Sequence, residues 1–120
     1  MSKLEFWYDF ASTYSYLTAM RIDRIADESG VDVVWRPFLL GPIFKAQGWA
    51  TSPFNVYPAK GRYMIRDIER IAAARGIGFV MPRAFPAPSL SAARIALATG
   101  DVDWTRTFSR TVFDAEFGRG

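Results

Sequence analysis

Four consecutive residues, Ser12-Thr13-Tyr14-Ser15, stand between an aromatic, strand-like stretch and a long helical run. In a thiol-handling α/β protein this junction holds a Cys-x-x-Cys pair, because the free amides and dipole of a helix N-terminus stabilise a thiolate. Here hydroxyls occupy both positions, Ser12 and Ser15, and the chain contains no cysteine and no histidine. Disulfide exchange by the chain itself is excluded, as are Cys–His and Ser–His catalysis and metal sites built on nitrogen and sulfur ligands. The chemistry left to the site is that of holding a thiol carried by another molecule.

A hydroxyl in this position has two uses. As an N-cap, the Ser12 oxygen accepts a backbone N–H and contributes about 1 kcal/mol to the helix. In the reverse sense, the Ser12 O–H and the free amides donate to a bound sulfur. Lowering a thiol pKa by about one to two units from ~8.5 requires ~1.4–2.8 kcal/mol, which charge-assisted hydrogen bonds supply.

The elements that must position these residues are legible nearby. Residues 3–9 alternate around Leu4, Phe6 and Tyr8, with Trp7 on the other face, and read as a strand buried on most of its surface. Residues 12–29 contain no Gly or Pro and end at Ser29-Gly30, which predicts one helix with Ser15, Ala19, Ile22 and Ala26 on a narrow face of mostly small residues. Residues 31–38 are apolar on both faces, as in a buried parallel strand, and complete a βαβ unit.

Residues 39–57 carry Gly41, Pro42, Gly48 and Pro53 among Phe44, Trp49, Phe54 and Tyr57, and read as a long apolar loop, functional or packed as a lid. Pro58 opens a helix to Arg75-Gly76 with Met64, Ile68, Ile71 and Ala72 as its stripe. After Pro82, Pro86 and Pro88, Ser89 or Ser91 starts a short helix. Asp101 or Asp103 caps a last one carrying Trp104, Phe108, Val112 and Ala115. No strand is expected after residue 38. The chain thus divides into a βαβ half, residues 1–40, and a loop with a helical insert, residues 41–120.

Composition agrees with a folded core: half of the 120 residues are apolar and 16% are aromatic. The formal charge of +3 is spread without a Lys/Arg block, which gives no case for nucleic acid and suits a small anionic ligand. The opening MSKLEFWYDF, interrupted by Glu5 and Asp9, is neither a signal peptide nor a membrane span, so a cytoplasmic location is expected.

The segment Phe6-Trp7-Tyr8-Asp9-Phe10-Ala11-Ser12-Thr13-Tyr14-Ser15-Tyr16-Leu17 resembles the active-site segment of the 2-hydroxychromene-2-carboxylate isomerases and of the neighbouring kappa-class glutathione transferases, in the DsbA-like thioredoxin superfamily. The pattern there is aromatic-Asp-x-x-Ser-Pro-aromatic-Ser-aromatic-Leu. The likeness continues through Trp35-Arg36-Pro37, Gly41-Pro42-Ile43-Phe44-Lys45 and Pro58-Ala59-Lys60-Gly61-Arg62-Tyr63-Met64 to Phe113-Asp114-Ala115-Glu116-Phe117-Gly118, in order.

The resemblance implies an α/β, thioredoxin-like fold with an inserted helical domain, and glutathione as cofactor, its sulfur held by Ser12 with Thr13 and Tyr14 beside it. It implies an aromatic small-molecule substrate, contacted by Lys45, Asn55 and Phe85, and isomerisation about a double bond in aromatic-compound degradation. Three positions depart from the pattern: Thr13 replaces the proline, Val56 an arginine after the asparagine, and Phe85 a tyrosine. The same site in a kappa-like enzyme would transfer the thiolate to an electrophile, and in a non-catalytic relative would only bind.

Members of the family continue with further strands and a closing helix, which this chain lacks. The expectation is therefore an N-terminal portion, or a homodimer in which a second copy completes the sheet, with weak stability and little activity as an isolated monomer.

Overall fold

The computed structural model describes residues 2–100 and 102–119, with Phe54 as backbone only. Strands β1 (Lys3–Tyr8) and β2 (Asp32–Pro37) pair in parallel, with Phe6 beside Trp35 and Tyr8 beside Pro37. Among the described residues these two are the whole sheet, and everything after β2 is helix or loop. The α/β class follows from the sequence as read.

The crossover is not one helix. It breaks at Met20-Arg21 into α1 (Thr13–Ala19) and α2 (Ile22–Ser29). The Arg21 N–H turns back to the Thr18 carbonyl at 3.1 Å, a tightened turn that re-aims the chain. Nothing in the local sequence asks for this break; tertiary packing does. Helix α1 rests on the later helices, whereas α2 packs on β2, and Asp23 of α2 is held by Arg106 and Arg110 at 3.3 and 3.6 Å. Gly30 closes α2 in the left-handed conformation, at the predicted place.

β1 is buried on one face rather than most of its surface. Phe6 and Tyr8 are buried, but Trp7 is 56% exposed and Leu4 47% exposed. The outward face is polar: Glu5 pairs with Arg36 at 3.0 Å and accepts from the Trp7 indole N–H at 3.0 Å, and the Arg36 guanidinium lies 5.8 Å from the Trp7 ring centre. β2 likewise buries Val33, Trp35 and Pro37 but exposes Asp32 and Arg36.

The expected loop of residues 39–57 contains two helices, α3 (Leu40–Ala46) and α4 (Pro53–Val56). Pro42 and Pro53 lie in first turns, where a missing N–H costs nothing, so these prolines start helices rather than interrupt a loop. Helix α5 (Pro58–Arg75) runs between its predicted ends. Helices α6 (Leu90–Ala98) and α7 (Val102–Phe113) follow, and a π-helical turn spans Asp114–Gly118. Asp103 lies inside the first turn of α7 rather than capping it, and Asp101 is outside the described residues. Ala115, expected on the apolar face of α7, is exposed in the π-turn, which turns Phe117 inward instead.

The core is a stack of aromatic rings. Tyr8 lies 5.4 Å from Trp35 and 5.9 Å from Phe113, and Tyr16 5.6 Å from Phe117, joining the sheet to the last helix. The buried Tyr8 hydroxyl meets Ser109 Oγ at 2.7 Å, and the Tyr16 hydroxyl donates to the Gly78 carbonyl.

Candidate ligand site at the start of the first helix

Asp9 directly follows β1 and is only 4% exposed, so its carboxylate must be satisfied from within. Oδ1 accepts from the Ala11 N–H and from Ser89 Oγ, and Oδ2 from the Leu40 N–H, each at 2.8 Å. One side chain thereby ties the turn before α1, the start of α3 and the start of α6 together. The backbone N–H of Asp9 donates to Ser15 Oγ at 3.3 Å, which anchors the first turn of α1 from the other side.

Ser12 is the N-cap of α1. Its backbone is extended and its Oγ accepts from the Ser15 N–H at 3.1 Å. Acceptance uses a lone pair, so the hydroxyl proton remains available for donation. The amides of Thr13 and Tyr14 belong to the first turn and have no acceptor within the helix.

Around these atoms lies a cavity of about 690 Å³, bordered by Ser12, Thr13, Tyr14, Lys45 and Phe85. Its walls are mainly apolar, with Phe44, Trp49 and Met64 among them, and Trp49 packs 5.5 Å from Phe44 and edge-on to Tyr57. Such a space suits an organic ligand with a few polar anchors. Lys45, in the last turn of α3, makes no ion pair among the described residues.

Thr13 is 1% exposed, and its Oγ1 has no hydrogen-bond partner among the described residues. Tyr14 turns toward α5, where its hydroxyl donates to Asp67 Oδ2 at 2.8 Å. Burial, then that hydrogen bond and the charges of Asp67 and Tyr63, push its phenol from 10.0 up to about 12, so it stays protonated in neutral solution.

Of the residues singled out from sequence, Ser12, Thr13, Tyr14, Lys45 and Phe85 meet around this cavity. Asn55 does not: it borders a separate cleft, and its Nδ2 donates to Thr51 Oγ1 at 3.1 Å. Phe85 borders both spaces. The sequence reading passed over Asp9 as an organiser and Ser89 as its partner. The available signal was a carboxylate directly between Tyr8 and Phe10 in an otherwise apolar run, since a buried charge implies dedicated partners.

Comparison with known proteins places these features. The sequence profile of the DSBA-like thioredoxin domain matches residues 3–120. A 2-hydroxychromene-2-carboxylate isomerase from Sphingobium xenophagum is 27% identical over 118 residues, which is 98% of this chain and 59% of the relative. A solved structure of a 2-hydroxychromene-2-carboxylate isomerase superimposes with a TM-score of 0.84 at 24% identity, over 98% of this chain and 57% of that one. The chain therefore spans less than two thirds of the length of either relative. On the strength of the profile match over nearly its whole length, the chain belongs to the DSBA-like thioredoxin domain family.

Proposed function

We propose that this chain is the thiol-holding part of a glutathione-dependent isomerase acting on aromatic compounds of the 2-hydroxychromene-2-carboxylate type. The observation that carries the reading is Ser12, capping α1 through a lone pair while bordering the large cavity with its hydroxyl proton uncommitted among the described residues. The likeness to a 2-hydroxychromene-2-carboxylate isomerase supports the reaction class.

The residues present fit glutathione. Thr13 borders the cavity, and its Oγ1 is buried without a hydrogen-bond partner among the described residues, an unmet polar atom at the head of α1. Ser12 would hold the sulfur, and the Thr13 and Tyr14 amides, at the positive end of α1, would favour its ionised form. When bound, glutathione supplies a sulfur nucleophile whose reversible addition to a conjugated double bond permits rotation.

The chain's own residues then do the remaining work. Lys45 offers a point charge for a substrate carboxylate, and Phe44, Trp49 and Phe85 offer flat apolar surface for an aromatic ring while excluding water. Asp9 keeps the three segments that carry these groups in register.

Calorimetric titration with reduced glutathione, beside a Ser12→Ala control, tests the reading. Binding that is lost in the control supports it, and equal binding by both proteins refutes the role of Ser12. One observation favours a binding-only relative: Val56 and Phe85 stand where the family pattern has an arginine and a tyrosine. A thiol balance during turnover separates the alternatives. Product formed with glutathione conserved marks an isomerase, consumption marks a kappa-like transferase, and binding with neither marks a ligand carrier.

A further inference from the structure

A second cleft, of about 350 Å³, lies between the start of α5 and the segment leading to α6. Its polar rim is Asn55, Arg62 and Arg83; Ile65, Met81 and Phe85 form its apolar floor. No Asp or Glu borders it. Neither guanidinium makes an ion pair or hydrogen bond with a described residue, although five other arginines among the described residues are paired with carboxylates.

Two like charges bordering one cleft without a counter-charge repel each other, and the N-terminal turn of α5 adds partial positive charge. An anion relieves both. Arginine presents a planar fork of donors matched to a planar oxyanion, and does so more strongly over an apolar floor, where water competes less. Asn55 uses one amide hydrogen on Thr51, which leaves the other and its carbonyl oxygen for a ligand.

We propose that this cleft is a carboxylate-binding subsite, in which Arg62 and Arg83 clamp the carboxylate of a small acid whose aryl or alkyl body lies on Ile65, Met81 and Phe85. The site is separate from Ser12 and from Lys45 and does not depend on the glutathione reading. Because Phe85 borders both spaces, a carboxylate held here is next to whatever fills the larger cavity. Its source is either an acid substrate or a carboxylate of the thiol peptide itself.

The test is an amide chemical-shift titration of the full chain with benzoate and with benzamide, its uncharged counterpart. Benzoate is expected to give saturable shifts in residues 55–65 and 81–85, and benzamide none. Replacing both arginines (Arg62→Gln with Arg83→Gln) is expected to weaken benzoate at least about tenfold, as loss of two charge-assisted bonds requires. Both side chains are exposed and unpaired, so the native amide spectrum is expected to persist in that variant. Displacement of benzoate by S-methylglutathione identifies the peptide as the source of the carboxylate, and simultaneous binding identifies a separate acid. Absence of saturable shifts, shifts that survive the double arginine variant, or shifts abolished by Lys45→Gln instead would overturn the proposal.

Discussion

Asp9 and Ser89, eighty residues apart, are joined by a 2.8 Å hydrogen bond between carboxylate and hydroxyl beside the large cavity. The same carboxylate caps the turn before α1 and receives the Leu40 amide, so the shape of the site rests on one buried side chain.

Asp9→Ala removes the acceptor from three donors at once. It is expected to destabilise the chain by about 2–4 kcal/mol in urea unfolding, because the stranded donors lose their partner without regaining water. Ser89→Ala removes one donor and is expected to cost about 1 kcal/mol. In the double variant the two costs add to less than their sum, since Asp9 has already lost what Ser89 supplied.

Ser12→Asp separates the two uses of the helix-capping hydroxyl. Aspartate is as good an N-cap as serine, so thermal stability is expected to stay within about 0.5 kcal/mol of the parent, whereas Ser12→Ala loses about 1 kcal/mol. The added negative charge repels a thiolate and carries no donor proton, so Ser12→Asp is expected to bind reduced glutathione at least about tenfold more weakly despite its intact helix.

Tyr14 makes stability sensitive to alkali. Its phenol is raised in the folded chain from 10.0 to about 12. The folded state therefore holds this proton more tightly than the unfolded state. The contribution is fully present below about pH 10 and is lost as pH rises toward about 12. Absorbance titration of tyrosinate is expected to lose a component near 12 in Tyr14→Phe, and that component falls toward the ordinary value in Asp67→Asn. Tyr14→Phe also loses the Asp67 hydrogen bond, at about 0.5–1.5 kcal/mol, and its alkaline unfolding is less steep.

Tyr8 and Ser109 form a buried pair of hydroxyls between the sheet and α7. Burial pushes the Tyr8 phenol up, with Ser109 lowering it in part. Tyr8→Phe strands the Ser109 hydroxyl and is expected to cost about 1–3 kcal/mol. Adding Ser109→Ala removes the stranded group and recovers part of that loss, which a double-mutant cycle by denaturant unfolding measures.

What the sequence made legible were features with local causes. Gly30 and Gly76 end α2 and α5 because each takes a left-handed conformation, and Pro58 opens α5 because its fixed φ suits a first turn. Ser12 as the start of α1 is of the same kind. The break at Met20-Arg21 has no local cause; it answers to α7 and β2, which lie elsewhere in the chain. Asp9 was missed for the same reason, its partners standing 31 and 80 residues away. The prolines of residues 39–57 carried two meanings, helix start or loop, and only the packed chain selects between them. Lys45 and Asn55, ten positions apart, border different clefts, Lys45 from α3 and Asn55 from α4.

The one-sided pairing of β1 has a consequence for how water reads the strand. The Asp32 and Phe38 amides donate to the Ser2 and Tyr8 carbonyls, so the even-numbered residues of β1 turn their backbone groups toward β2, and Lys3, Glu5 and Trp7 turn theirs away. Deuterium uptake along this strand should therefore alternate, slow at Leu4, Phe6 and Tyr8 and fast at their odd-numbered neighbours, a two-residue rhythm written into the labelling pattern of a single element. Any molecule that docks along that side would silence the fast positions while leaving the slow ones as they were.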